Sequence, residues 1–261
     1  MLKKLLKYEM KATARLLFPL YLVLAVFTII DRIVLSLDIF NGVFNIIPTL
    51  ITLAFGLSVA AIIIVSAVII IVRFYKNLVT DEGYLMFTLP VKSHQLINAK
   101  FIIAYLWTLA SIIASAIAIF IVASYQFSYQ EFTNGFQIVF QEFERAYGSA
   151  TTLLIIEFIL MSIMGIANGI LMVYVSIAIG QLFNGRKLLG SIASYIALYT
   201  GMQIISTVIM VAGGLLFKDY FSNINSIPHL AMPVAILISF GLNVAFYITT
   251  KLIFNKKLNL E

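Results

Sequence analysis

The chain has 261 residues, 62% of them hydrophobic and 11% charged, with a formal net charge of +6. Soluble domains are about a quarter charged, and a water-soluble core cannot hide this much apolar surface, so most of the chain is read as dissolved in lipid. The absence of cysteine excludes a disulfide scaffold and any thiolate metal site or nucleophile.

His94 and His229 stand far apart in the chain, which argues against a histidine-rich metal cluster. In a soluble protein the positive charge would point to nucleic acid. Here its distribution matters more than its sum, and no nucleic-acid partner is expected.

The first segment, MLKKLLKYEMKATARLL, spreads its charges through the stretch and has no clean small-residue cleavage site, unlike a signal peptide. Lys3, Lys7, Lys11 and Arg15 recur every four residues with Lys4 beside them, while Leu2, Leu5, Leu6, Met10 and Leu17 lie away from that stripe. The pattern predicts an N-terminal amphipathic helix over residues 1–15 on the cytoplasmic surface of the membrane. A plain positive anchor for the first span is the alternative.

An apolar helix needs about 20 residues to cross the hydrocarbon. Six runs qualify, near 16–36, 46–72, 96–124, 150–180, 188–217 and 230–254. Several are long enough to tilt or protrude. Ala110, Ala114 and Ala118 share one face of the third span, and Gly165 and Gly169 form a GxxxG in the fourth. Both spacings permit close helix approach in lipid. Glu157 is the carboxylate read as lying within a span, about 10 Å in by helical rise.

The loop after the second span is RFYKNLVTDEGYLMFTLPVKSHQLINAK. Arg73 and Lys76 end that span. Thr80 or Asp81 can cap a new helix, and Asp81 and Glu82 complement its N-terminal dipole. The helix is expected over 81–88, stopped by Pro90, with Ser93 capping the next span. It would present Tyr84, Leu85, Met86 and Phe87, an apolar knob that either awaits a partner or folds against the membrane or the N-terminal helix.

In the loop after the third span, residues 125–149, Tyr125, Tyr129, Phe132, Phe136, Phe140, Phe143 and Tyr147 fall at steps of 4, 3, 4, 4, 3, 4. That is one face of one or two helices, with a possible break at Asn134-Gly135. They would lie on the outer leaflet or cover the bundle; an outer gate or an apolar docking surface is the sharper alternative.

QLFNGRKLLGS, residues 181–191, has a superficial look of a phosphate loop. It lacks the lysine before the serine and follows no strand, so a turn at Asn184-Gly185 is expected instead. In the last outer loop Gly213-Gly214, Pro228 and Pro233 are expected to break the helices, with His229 an interfacial residue.

With the N-terminus inside, fourteen of the 17 lysines and arginines fall on the inner side, leaving Arg32, Arg145 and Lys218 outside. This predicts N-in, C-in. Asp31, Asp38, Glu131, Glu142, Glu144 and Asp219 are then assigned outside. The reading is an all-α polytopic membrane protein, one domain of six transmembrane helices over 1–261.

Arg73-Phe74-Tyr75-Lys76, Asp81-Glu82-Gly83-Tyr84-Leu85 and Thr88-Leu89-Pro90, set between spans two and three, resemble the pattern of permease subunits of ABC-2 type transporters from Firmicutes-like bacteria. The motif covers under 30 residues; the likeness in organisation covers nearly the whole chain. The resemblance implies that Asp81, Glu82, Gly83, Tyr84, Leu85, Met86 and Phe87 form a coupling helix inserted into a separate ATP-binding cassette subunit. Residues 2–15 would then be the connecting helix beside it. It further implies that a second copy or a paralogue completes the path and that this chain carries no cofactor of its own, ATP being bound by the partner subunit. The setting would be the bacterial cytoplasmic membrane, with export of an amphipathic peptide, antibiotic or lipid-like substrate. One departure is the long amphipathic outer segment after span three; better-known members place re-entrant helices between spans five and six.

A membrane enzyme would need paired carboxylates, histidines or a metal, and Glu157 has no histidine within sequence range. A secondary transporter or non-transporting membrane partner would show paired broken helices and several buried charges. Glu157 is either a substrate-path residue or a carboxylate bonded to a neighbouring hydroxyl.

Overall fold

The computed structural model describes residues 2–37, 46–80, 83, 93–125, 128–183, 185–216 and 227–256. Among them run seven long α-helices: α1 Leu2–Ser36, α2 Ile46–Val79, α3 Ser93–Ala123, α4 Tyr129–Tyr147, α5 Thr151–Gly180, α6 Lys187–Leu216 and α7 Ile227–Lys256. Six of these, all but α4, are long and apolar enough to cross a membrane. In lipid no water is available to backbone amides and carbonyls, so each span must satisfy them within itself, and a helix does so. At 30 to 35 residues these helices are about 45–52 Å long. That exceeds the hydrocarbon thickness of about 30 Å, so their ends protrude or their axes tilt.

Three local expectations are corrected. Residues 2–15 are not a separate element: α1 runs unbroken from Leu2 to Ser36, with Pro19 inside it. Lys3, Lys4, Lys7, Lys11 and Arg15 are exposed along one side, while Thr13 and Leu17 are buried. Asn134-Gly135 does not interrupt α4. Gly213, Gly214, Pro228 and Pro233 lie within α6 and α7 rather than ending them. A proline in the first turn loses no helical bond, and in apolar surroundings neighbouring helices re-satisfy the group an interior proline frees.

The chain divides into two compact units, Met1–Arg73 with Asn98–Val139, and Phe74–Ile97 with Phe140–Glu261. In the first, Leu24 of α1, Phe55 and Ile62 of α2 and Ala118 of α3 form a core, flanked by Leu20, Tyr21, Phe27, Val59, Ala114 and Val122. Ala114 and Ala118 thus do lie where helices meet. In the second unit α5 packs against both α6 and α7. Phe74 stacks on Tyr174 at 3.5 Å between ring centroids and meets Phe254 edge-on at 6.0 Å. Asn243 of α7 donates to the Met164 carbonyl of α5 at 3.1 Å. The α5–α6 turn uses Gly185 at φ +73°, the left-handed conformation glycine adopts without strain.

Ser128 and Glu131 open α4 with a reciprocal cap. The Ser128 amide donates to the Glu131 carboxylate at 2.7 Å, and the Glu131 amide donates to the Ser128 hydroxyl at 3.2 Å. The backbone bond from Ser128, then its hydroxyl, hold the Glu131 carboxyl below the usual glutamate range. A depressed folded value means that the cap contributes above the ordinary glutamate range and is lost as pH falls through the lowered value. A carboxyl-carbon NMR titration is expected to place the Glu131 midpoint below that of a free glutamate. Ser128→Ala removes the hydroxyl and keeps the amide donor, so the midpoint should rise only part of the way to the ordinary range; an unmoved midpoint would contradict the hydroxyl's part in the cap.

Candidate functional site

The polar groups of the first unit are strung along the α1–α2–α3 contact. Near the N-terminal end of α1, Glu9 Oε1 accepts from Arg73 of α2 at 3.2 Å and from Lys100 of α3 at 3.2 Å. The side chains of Lys100, Glu9 and Arg73 are 5%, 13% and 22% exposed. One carboxylate oxygen shared by two cations, largely out of water, is a strong clamp, because Coulomb attraction is weakly screened there.

One helical turn along α1, Thr13 donates to the Glu9 carbonyl at 2.8 Å and accepts from the Trp107 indole of α3 at 2.7 Å. Further on, Ser111 of α3 lies 2.9 Å from the Tyr21 hydroxyl of α1 and 3.0 Å from the Ser66 hydroxyl of α2. Near its other end α1 carries Asp31, fully buried, whose Oδ1 accepts from Thr52 of α2 at 2.8 Å. These bonds fix how the three helices are rotated against one another, since each would leave a buried polar group unpaired if the register changed.

Glu9 and Asp31 were missed as structural groups in the sequence. Asp31 is not an outer-loop residue: α1 continues past it to Ser36, and Ile29, Ile30, Ile33 and Leu37 around it expose their side chains. A signal was available for each. Glu9 stands about 200° of helical rotation from Lys7, opposite the basic stripe. Asp31 interrupts an apolar run, FTIIDRIVL.

Of the expected coupling residues, Gly83 is helical and buried, and its amide donates to the Thr80 carbonyl at 2.7 Å. Asp81, Glu82, Tyr84, Leu85, Met86 and Phe87 lie outside the described residues. The Thr80 hydroxyl donates back to the Lys76 carbonyl at 2.7 Å, so it bonds to the end of α2. Glu157, in the second turn of α5, is half-buried, and its Oε2 is enclosed with no hydrogen-bond partner among the described residues. Among the described residues the GxxxG of α5 makes no close contact: a Cβ on Gly165 or Gly169 would meet none of their atoms within 4 Å. The close approach is made instead at Gly180, against Ser191 of α6. On α4 no side chain is buried; Tyr129 and Phe136 are widely exposed, and Phe132 packs edge-on to Phe120 at 4.8 Å. No group of three or more potential metal ligands occurs among the described residues.

No family model, no curated protein and no solved structure matches the chain. The chain is a helical protein whose six long apolar helices suit a multi-pass membrane protein. Its chemistry is read from the residues alone.

Proposed function

We propose that the chain is the membrane-spanning permease subunit of an ATP-driven ABC transporter of the ABC-2 type, in a bacterial cytoplasmic membrane with both termini inside. The observation that carries this reading is the segment RFYKNLVTDEGYLMFTLPV between α2 and α3. Its acids and apolar residues suit a short helix offered to a separate ATP-binding cassette subunit, and it shares its pattern with such permeases. The Glu9–Arg73–Lys100 clamp supports the reading physically. It ties α1 to the helices on either side of that segment, so a push delivered there would move three helices as a body. Two copies, or this chain and a paralogue, would enclose the path, in contact with membrane lipid. Glu157 would face cargo of amphipathic peptide, antibiotic or lipid-like character.

The test is co-purification with the ATPase encoded beside this chain and ATP-dependent export from vesicles. Tyr84→Glu with Leu85→Glu is expected to abolish both assembly and transport while leaving the chain folded in the membrane. Assembly and transport that survive the double change would sink the reading.

A secondary transporter is the second reading. The observation that favours it is Asp31, a fully buried carboxylate on a lipid-facing helix, because intramembrane carboxylates commonly mark ion pathways. Flux driven by a proton or sodium gradient with no ATPase present would select it.

A further inference from the structure

Asp31 has no role in the ATP-driven reading, and its surroundings are unusual for a carboxylate. It is 0% exposed. Oδ1 is bonded to the Thr52 hydroxyl, while Oδ2 is enclosed and has no hydrogen-bond partner among the described residues. Its α1 neighbours Ile29, Ile30 and Ile33 expose apolar side chains, as a lipid-facing surface does, so water is not close at hand. The cost of burying an ion with one hydroxyl bond is several kcal/mol. Some positive charge must offset it.

The chain's own charges near it do not. No lysine, arginine or histidine among the described residues makes an ion pair with Asp31. On α1 itself the adjacent Arg32 places its guanidinium 5.5 Å from the centre of the Tyr125 ring. The facing half of α2, Ile46 to Ser58, has no titratable residue, and the corresponding half of α3, from Ile112, has none before Tyr125 just beyond its end. Glu131, near the start of α4, is exposed. Thr28, one turn back on α1, is buried and donates its hydroxyl proton to the Leu24 carbonyl at 2.7 Å. Thr52 donates to Oδ1 and keeps lone pairs of its own. The site thus offers two carboxylate oxygens and the Thr52 hydroxyl oxygen, in a setting poor in donors.

We propose that Asp31, with Thr52, is a binding site for a sodium ion held between α1 and α2. Hard oxygen ligands suit sodium, and the ion's charge would offset that of the buried carboxylate. The site stands independently of the ATP-driven reading, since it concerns equilibrium binding and not the source of energy.

The experiment is isotope-edited infrared spectroscopy on the full chain in lipid nanodiscs, labelled with carboxyl-¹³C aspartate. The chain holds three other aspartates, Asp38, Asp81 and Asp219. Changing all three to asparagine leaves Asp31 as the sole labelled carboxyl; if that variant does not fold, the difference between wild type and Asp31→Asn isolates the same band. Adding sodium chloride is expected to shift the labelled Asp31 carboxyl bands, while potassium chloride leaves them unchanged. Bands that added sodium does not alter, or that potassium alters equally, would overturn the proposal. Because transport is not measured, that result would leave the coupling-helix reading standing, and failure of the Tyr84 and Leu85 test would leave this one standing.

Discussion

Replacing Glu9 by alanine is expected to destabilise the first unit by about 3 kcal/mol, which is near the lower end of the range for removing one partner of a buried ion pair. The lower end applies because the Arg73 side chain keeps 22% exposure and so retains some hydration. The loss exceeds that of a surface pair, such as the exposed Arg145–Glu142 bridge at 2.6 Å, which is worth about 0–1 kcal/mol. The difference comes from what is left behind: Arg73 and Lys100 would face one another without the carboxylate they share. Adding Lys100→Met in the Glu9→Ala background should therefore recover part of the loss, a non-additivity expected of directly coupled groups. The measurement is unfolding of the purified protein by SDS titration followed by circular dichroism. Equal losses for Glu9→Ala and Glu142→Ala would show that the clamp does not hold the helices.

Gly180→Ala should be the most damaging glycine substitution among the α5 glycines. A Cβ there would fall 2.5 Å from the Ser191 backbone nitrogen and 2.6 Å from its Cα, and closer still to the Ser191 hydroxyl. Backbone atoms cannot swing aside, so α5 and α6 would have to separate just where a short turn joins them. Overpacking costs about 1–3 kcal/mol when side chains can adjust; with backbone in the way, the upper end or more is expected. Gly165→Ala and Gly169→Ala provide the contrast, since nothing among the described residues lies within 4 Å of either Cβ. They should be neutral or slightly stabilising through the reduced freedom of the unfolded chain. The same SDS titration ranks the three. Should Gly165→Ala prove as harmful as Gly180→Ala, the α5 face that carries the GxxxG would have to be packed in the purified protein.

These two sites also show how far sequence reading reaches. The GxxxG spacing was legible, but spacing alone does not say which small residue meets a neighbour. The contact fell at Gly180, where α5 turns back into α6, and Gly165 and Gly169 were left open. The aromatic stripe from Tyr129 to Tyr147 was legible as one helical face because its period survives amid polar residues. In α1 the basic stripe was legible for the same reason. The inner side of that helix, with Glu9 and Thr13, was not, because its partners are 64, 91 and 94 residues away in the chain.

The sequence by itself determined that six long apolar runs become helices, because a lipid solvent leaves the backbone no other partner for its hydrogen bonds. It also determined where most of those helices begin and end to within a few residues, since loss of hydropathy marks the membrane boundary. Whether residues 2–15 stand apart from the first span was decided by tertiary structure, and α1 runs straight through. So was the depth of Asp31. An intramembrane helix is apolar on every face, so hydropathy carries no record of which face turns inward. That rotation is fixed only when Glu9 meets Arg73 and Lys100, Trp107 meets Thr13, and Asp31 meets Thr52 across the helix contacts.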